Sequence, residues 1–276
     1  MIELKASGKW TKKPANERIF GNFIESGIGR QISGIWSEML QNRSFRPRSE
    51  YKYPMWQWVG MTKEFYNENA PFWHSGYEED EWLPVGSAAF SRTYGSHMYK
   101  GKDALRVQNT DGKEAGIKQP RIHLHEGQEY KFAIDACSEG NWTEAGLNGF
   151  GDIIHSDKKK IIKIVIGSQS TELGMDTSTR HYEWVFTAKK TEIVDFEIKF
   201  DWAGGIVLSC VSLMPTDNIA GFKKEVVENL IAISPSVIRF PGGCFISFFN
   251  WELAIGARDS REACESFYWG GIEEND

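Results

Sequence analysis

Short runs of β-branched and aromatic residues interleaved with polar ones dominate the middle of the chain. Residues 105–107, 130–134, 161–166, 182–186, 194–200 and 206–211 follow this pattern, and Gly, Pro, Asn and Asp punctuate the stretches between them. Alternation at period two puts successive side chains on opposite faces of a sheet, so these runs predict strands. Several strands at this spacing predict a β-sandwich. Residues 51–82, aromatic and acidic without a clear period, read as a long loop or irregular strands.

The flanks have a different rhythm. Arg18-Ile-Phe-Gly-Asn-Phe-Ile-Glu25 reads as a short buried strand, followed by a turn containing Gly27, Gly29 and Gly34. A helix is then expected from Ile35, with Trp36, Met39 and Leu40 on its apolar stripe. Beyond 214, Asp217 or Asn218 is positioned to cap a second helix in which Phe222, Val226, Leu230 and Ile233 recur at helical spacing, with Pro235 as its stop. Residues 236–240 follow as a second buried strand, ended by Pro241-Gly-Gly. Strand, turn and helix on one side, with helix and strand on the other, predict an α/β barrel interrupted after its first βα unit by an inserted all-β sandwich. The expected segments are 1–17, a strand of a β-domain completed elsewhere; 18–45, the first βα unit; 46–214, the insert; and 215–276, a second, truncated βα portion.

Composition narrows the choice of partners. A chain of 276 residues with 41% hydrophobic side chains can fill a core, while a net charge of -6 and a pI near 5.6 provide no field for phosphate backbones or anionic lipid. No nucleic acid and no membrane partner is therefore expected. The longest apolar stretches, such as 161–166 and 244–249, fall far short of the roughly 20 residues of a membrane span. The first residues lack a basic region followed by an apolar one, so no secretory signal is expected. Cys137, Cys210, Cys244 and Cys264 show no paired spacing, which argues against a zinc site or a disulfide scaffold and leans towards a reducing, cytoplasmic compartment. Aromatic residues reach 13%, and indole faces stack well on sugar rings, although any single Trp is first read as a core residue.

Candidate chemistry sits mainly at the ends of the two flanking strands. In Gly27-Ile-Gly29-Arg-Gln-Ile-Ser-Gly34, four residues separate the second and third Gly where a dinucleotide cradle needs two, so a tight turn is expected and no cofactor. Glu25 ends the first strand on the face where parallel barrels bind ligands, and its carboxylate can accept hydrogen bonds from vicinal hydroxyls or simply be solvated. Arg239, flanked by apolar residues, is expected to be part-buried and so to need an anionic partner, either a catalytic carboxylate or a structural one. Cys244 as a nucleophile would need His123, His125 or His181 nearby, yet all three fall in the presumed sandwich, so a packing or ligand-contact thiol is the better reading. His123 and His125 share one strand face without a third ligand, so no metal site is expected. Glu273 and Glu274 are adjacent and point apart, unlike the facing carboxylates of a retaining glycosidase, about 5 to 5.5 Å apart.

Ile19-Phe-Gly-Asn-Phe-Ile-Glu25, Gly34-Ile-Trp-Ser-Glu-Met-Leu-Gln-Asn-Arg-Ser-Phe45, Ser236-Val-Ile-Arg-Phe-Pro-Gly-Gly-Cys-Phe245, Asn250-Trp-Glu252 and Tyr268-Trp-Gly-Gly-Ile-Glu-Glu-Asn-Asp276, in this order and spacing, resemble glycoside hydrolase family 51, the alpha-L-arabinofuranosidases. Val211-Ser-Leu-Met-Pro215 is similar to members carrying a carbohydrate-binding-module-like, jelly-roll-like insert. The resemblance implies the start of a (β/α)8 TIM barrel and retaining, exo-acting release of arabinose from arabinan- or arabinoxylan-type polysaccharides. It also implies that Glu25 binds arabinose hydroxyls, Arg239 holds the nucleophile carboxylate, Cys244 lines the sugar pocket and Trp269 walls it. The acid/base and nucleophile Glu of the family belong to later barrel strands, so no catalytic residue is expected in these 276 residues, and a second polypeptide supplying the rest of the barrel is implied as partner. Ser26 and Ala257 depart from the family pattern and leave the substrate open. The alternative is a non-catalytic carbohydrate-binding protein, with Trp56, Trp73, Trp82 and Trp142 as candidate stacking platforms, or an inactive fragment.

Overall fold

The computed structural model describes residues 16–25, 34–45, 82–93, 104–139, 159–247, 249–261, 264–265 and 272–273. Ten antiparallel strands build a β-sandwich. One sheet has the order β2 (Leu83–Val85), β5 (Ala115–Leu124), β10 (Glu192–Phe200), β7 (Lys160–Ile166), β8 (Gln169–Met175). The other has the order β3 (Ala89–Thr93), β4 (Ala104–Asn109), β11 (Gly204–Pro215), β6 (Glu129–Glu139), β9 (Arg180–Thr187).

Period-two patterning does what it predicts. Along β7, Ile162, Ile164 and Ile166 are fully buried while Ile161 and Lys163 face water. Phe196 and Ile198 of β10 and Phe132, Ile134 and Ala136 of β6 enter the same core from the two sheets, with the Phe132 and Phe196 rings 5.7 Å apart. Interdigitation of two inner faces at close packing is what holds a sandwich together.

Two bulges prepare the sandwich for its neighbours. In β5, Pro120 and Arg121 together oppose Asp195, and Arg121 takes a left-handed φ of 67°. In β11 the register slips between Ser209 and Ser212, with Cys210 at φ 50°. The Val211 amide there donates to the Arg43 carbonyl instead of to a neighbouring strand. Residues 205–213 of β11 are consequently buried on both faces.

Segment 34–45 is the cause, and it corrects an expectation. Helical backbone covers Gly34 and Ile35, whereas 36–45 runs irregularly along the sandwich where a helix beginning near Ile35 was predicted. Tertiary bonds override the helical spacing of Met39 and Leu40. Gln119, buried in β5, pairs with the backbone of Gln41 in both directions, at 2.8 and 3.0 Å. Leu40 and Phe45 join the sandwich core beside Trp82, whose indole N–H donates to the Asn42 carbonyl at 3.0 Å. Trp82 is thus a core residue, not a stacking platform; Trp56, Trp73 and Trp142 lie outside the described residues.

The remaining secondary structure is slight. β1 (Asn22–Phe23) pairs in parallel with β12 (Ile238–Arg239), and helix α1 (Lys224–Ile233) lies between the sandwich and β12 in the chain. The predicted cap is displaced: Asn218 instead closes a turn, donating to the Pro215 carbonyl and accepting from the Gly221 amide, and α1 starts at Lys224. Phe222 precedes the helix and meets Trp36 edge to face at 4.9 Å. Ser234 ends α1 in the left-handed conformation before Pro235. Short strands β13 (Cys264–Glu265) and β14 (Ile272–Glu273) pair antiparallel. No described helix is long and apolar enough to cross a membrane.

Candidate functional site

The carboxyl ends of β1 and β12 are brought side by side by their parallel pairing, with the Ile24 amide donating to the Arg239 carbonyl at 2.9 Å. Glu25 lies two residues beyond β1 and is 3% exposed. Pro241-Gly242-Gly243 follows β12 after a cis Phe240–Pro241 bond and folds across Glu25. A Cβ on Gly242, where φ is +91°, would lie 2.5 Å from the Glu25 Cβ, and one on Gly243 would lie 2.9 Å from the Glu25 Cδ. Only glycine lets the loop run this close to the carboxylate. The two glycines cover the Glu25 carboxyl with backbone and form a cradle around it.

Arg239 closes the loop from below, its Nη2 donating to the Gly242 carbonyl at 3.0 Å. Its side chain is exposed, in contrast to the part-buried position expected from its apolar neighbours. Cys244 begins a 3-10 turn, Cys244–Ser247, one residue beyond the cradle. Trp269 lies outside the described residues. Glu25, Arg239 and the backbone of Cys244 are therefore brought to one strand end, and Glu273 sits in β14.

A second polar constellation escaped the sequence reading. Glu38, with only 4% of its side chain exposed, accepts from the Met39 and Leu40 amides at 3.2 Å, the Leu213 amide at 2.8 Å and the Ser212 hydroxyl at 2.6 Å. Arg43 and Arg258 approach its Oε2 to 3.8 and 3.6 Å. Arg43 also donates to Asp259 at 2.6 Å, and Arg258 to the Ser212 hydroxyl at 3.2 Å. Burial pushes the Glu38 carboxyl above its ordinary range, while Arg43, the Leu213 amide, Ser212 and Arg258 pull the other way. Arg43 and Asp259 alone are 216 positions apart, so spacing could not reveal the constellation.

On the sandwich, His123 and His125 are exposed. His181 lies between two carboxylates, its Nδ1 2.7 Å from Asp135 and its Nε2 3.2 Å from Glu183. Hydrogen bonding to Asp135, helped by Glu183, raises its pKa despite partial burial. Among the described residues, no group of three or more His, Cys, Asp or Glu is arranged to hold a metal ion.

No family model matches the chain. It is similar to alpha-L-arabinofuranosidase 1 of Arabidopsis thaliana, 23% identical over 90% of this chain and 35% of the relative, and to alpha-L-arabinofuranosidase 2 of the same plant, 22% identical over 94% and 37%. A 61-residue stretch is 39% identical to alpha-L-arabinofuranosidase C of Emericella nidulans, covering 22% of this chain and 12% of that protein. The chain spans about a third of the length of the two plant relatives. Among solved structures, the CBM22-1–GH10 modules of Clostridium thermocellum endo-1,4-beta-D-xylanase 10B align with a TM-score of 0.36 at 13% identity, over 50% of this chain and 27% of that one.

Proposed function

We propose that this chain carries the sugar-recognition end of a retaining, exo-acting alpha-L-arabinofuranosidase, with Glu25 as a hydroxyl acceptor for an arabinofuranosyl ring. The observation that carries this reading is the Glu25–Gly242–Gly243 cradle at the carboxyl ends of two adjacent parallel strands. Ligands bind at that edge in barrels and open α/β sheets alike. A carboxylate held rigid there can accept hydrogen bonds from two vicinal hydroxyls, and such charge-assisted bonds are the strong ones. The similarity to alpha-L-arabinofuranosidases over most of the chain supports the choice of sugar.

The two parallel strands are the opening of a (β/α)8 barrel in this reading, and further strands supply the acid/base and nucleophile carboxylates. Support comes from the surface around β1 and β12. Ile19, Phe20, Phe23, Ile238 and Phe240 are between 45% and 71% exposed, an apolar area that in a finished domain would be covered. A polypeptide bearing the remaining barrel strands is the partner that fits. Arg239 would then turn its guanidinium towards an incoming nucleophile carboxylate, Cys244 would line the pocket and Trp269 would wall it.

The test is hydrolysis of 4-nitrophenyl alpha-L-arabinofuranoside. The chain alone is expected to be inactive, and the chain assembled with the remaining barrel strands active. Glu25→Gln in the assembled enzyme should lower kcat/KM by about a hundredfold, as loss of a charge-assisted bond made to the substrate would. Unchanged kcat/KM in that variant would remove Glu25 from the site.

A further inference from the structure

We infer that Glu38, Arg43, Arg258 and Asp259 form a positioning joint, by which the β-sandwich fixes the loop that leaves the Glu25 cradle and so sets the shape of the sugar subsite; the sugar part of this statement rests on the function proposed above. The loop begins at Gly243, against the Glu25 carboxyl, and passes through the 3-10 turns Cys244–Ser247 and Trp251–Ala254 to a third, Arg258–Ser260. Its internal bonds are local: Asn250 accepts from the Glu252 amide, and Arg261 donates from its amide to the Arg258 carbonyl and from Nε to the Gly256 carbonyl. Trp251 and Ile255 on it are each 60% exposed. Arg258 and Asp259 supply long-range attachment, through Glu38, Arg43, Ser212 and the Met214 sulfur.

The chemistry of the joint suits orientation better than bulk stability. Buried charges are costly to desolvate, and an apolar cluster of the same volume would serve stability as well. What the charges add is direction. Glu38 places one oxygen on the amides of Met39, Leu40 and Leu213 and the other on Ser212 and the two guanidinium groups, so segment 34–45, β11 and the loop meet in one arrangement. The bulge in β11 belongs to the same device, because it is the Arg43 carbonyl that receives the Val211 amide. The sandwich thereby reaches a loop that starts on the far side of α1 in sequence.

Amide hydrogen exchange of the 276-residue chain, followed by mass spectrometry, tests the joint without any sugar. Arg258→Met and the milder Asp259→Asn should speed exchange in 240–261 by about tenfold while leaving β7 and β10 unchanged, and Arg258→Lys should restore much of the protection. Acceleration confined to 36–40 and 211–214 would overturn the inference, since the cluster would then be core filling. So would equal acceleration of β7 and β10 in Asp259→Asn, which would mark general destabilisation. In the assembled enzyme, Asp259→Asn should raise KM for the aryl arabinofuranoside several-fold, with kcat within about twofold. A normal exchange response with unmoved KM would overturn the control of subsite shape. Failure of the wild-type enzyme to act on the arabinofuranoside would sink the proposed function, while the exchange experiment still decides the joint.

Discussion

The β-sandwich and the β1–β12 pair are built from equally apolar sequence but end in opposite states. In the sandwich, Ile117, Phe132, Ile164, Phe196 and Leu208 are fully buried because each sheet presents its inner face to the other. In the parallel pair, Phe23, Ile238 and Phe240 remain 57%, 45% and 57% exposed although they alternate with the polar Asn22 and Arg239 as sandwich strands do. Among the described residues no further strand joins this pair, and two strands alone are at best marginally stable in water. The difference separates two sheets that share a filled core from a strand pair whose apolar side chains stay exposed. It also locates the cradle: Glu25 is 3% exposed where Pro241-Gly-Gly crosses it, while Phe23 and Phe240 beside it are each 57% exposed.

The sharpest way to break this comparison is to empty the sandwich core. Phe132→Ala should cost about 3–5 kcal/mol in urea unfolding, because a buried aromatic ring leaves a cavity. Gly243→Ala comes next. Its methyl group would overlap the Glu25 carboxyl, and overpacking of this kind costs about 1–3 kcal/mol. Since the strain falls on the cradle, sugar response should be lost with the thermal unfolding of the sandwich little changed, as judged by calorimetry beside a titration. Ile238→Ala, by contrast, should alter stability by about 0.5 kcal/mol or less, as exposed positions do. The same change combined with Phe23→Ser and Phe240→Ser should weaken binding of a polypeptide bearing the remaining barrel strands in sedimentation velocity, whereas serine substitution at the exposed Val185 of the sandwich should not.

The smallest effect concerns pH and lies in the sandwich alone. The Asp135 bond holds a proton on His181 more tightly in the folded than in the unfolded chain. Stabilisation from this group is therefore complete below the unfolded value of about 6.5 and is lost as pH rises through the higher folded value. With half the ring exposed, solvent screening limits it to about 0.5 kcal/mol or less. His181→Asn should flatten the change in urea midpoint between about pH 5 and about pH 8 and leave the midpoint at the upper end nearly unaltered.

What could be read from the chain follows the range of the forces involved. Strands β4, β6, β7, β9, β10 and β11 are visible because alternation is a local signal, as in the Ile162, Ile164 and Ile166 series. Strand β5 is hidden by Gly116 and the Pro120 bulge, and β8 by its polar Ser170, Thr171 and Glu172. Segment 34–45 carries helical spacing, yet Gln119 and Leu213 supply bonds that a helix could not make there. At the site, Glu25 and the Pro241-Gly-Gly turn are legible because both sit at strand ends. The exposure of Arg239 is not, because it depends on which strands lie beside β12. The Glu38 joint is invisible for the same reason, although Glu38 and Arg43 both lie in a string that carries the family resemblance.

Titration of the isotopically labelled chain with L-arabinose, followed through the backbone amide resonances, tests the cradle most directly. An incomplete subsite should bind weakly, with Kd in the millimolar range or about tenfold above it. Shifts are expected at Glu25, Gly242 and Gly243, absent with D-glucose and absent in Gly243→Ala. Shifts confined to strands of the sandwich, with Glu25, Gly242 and Gly243 unmoved at saturating sugar, would contradict the assignment of the sugar site to the strand ends and give recognition to the sandwich instead.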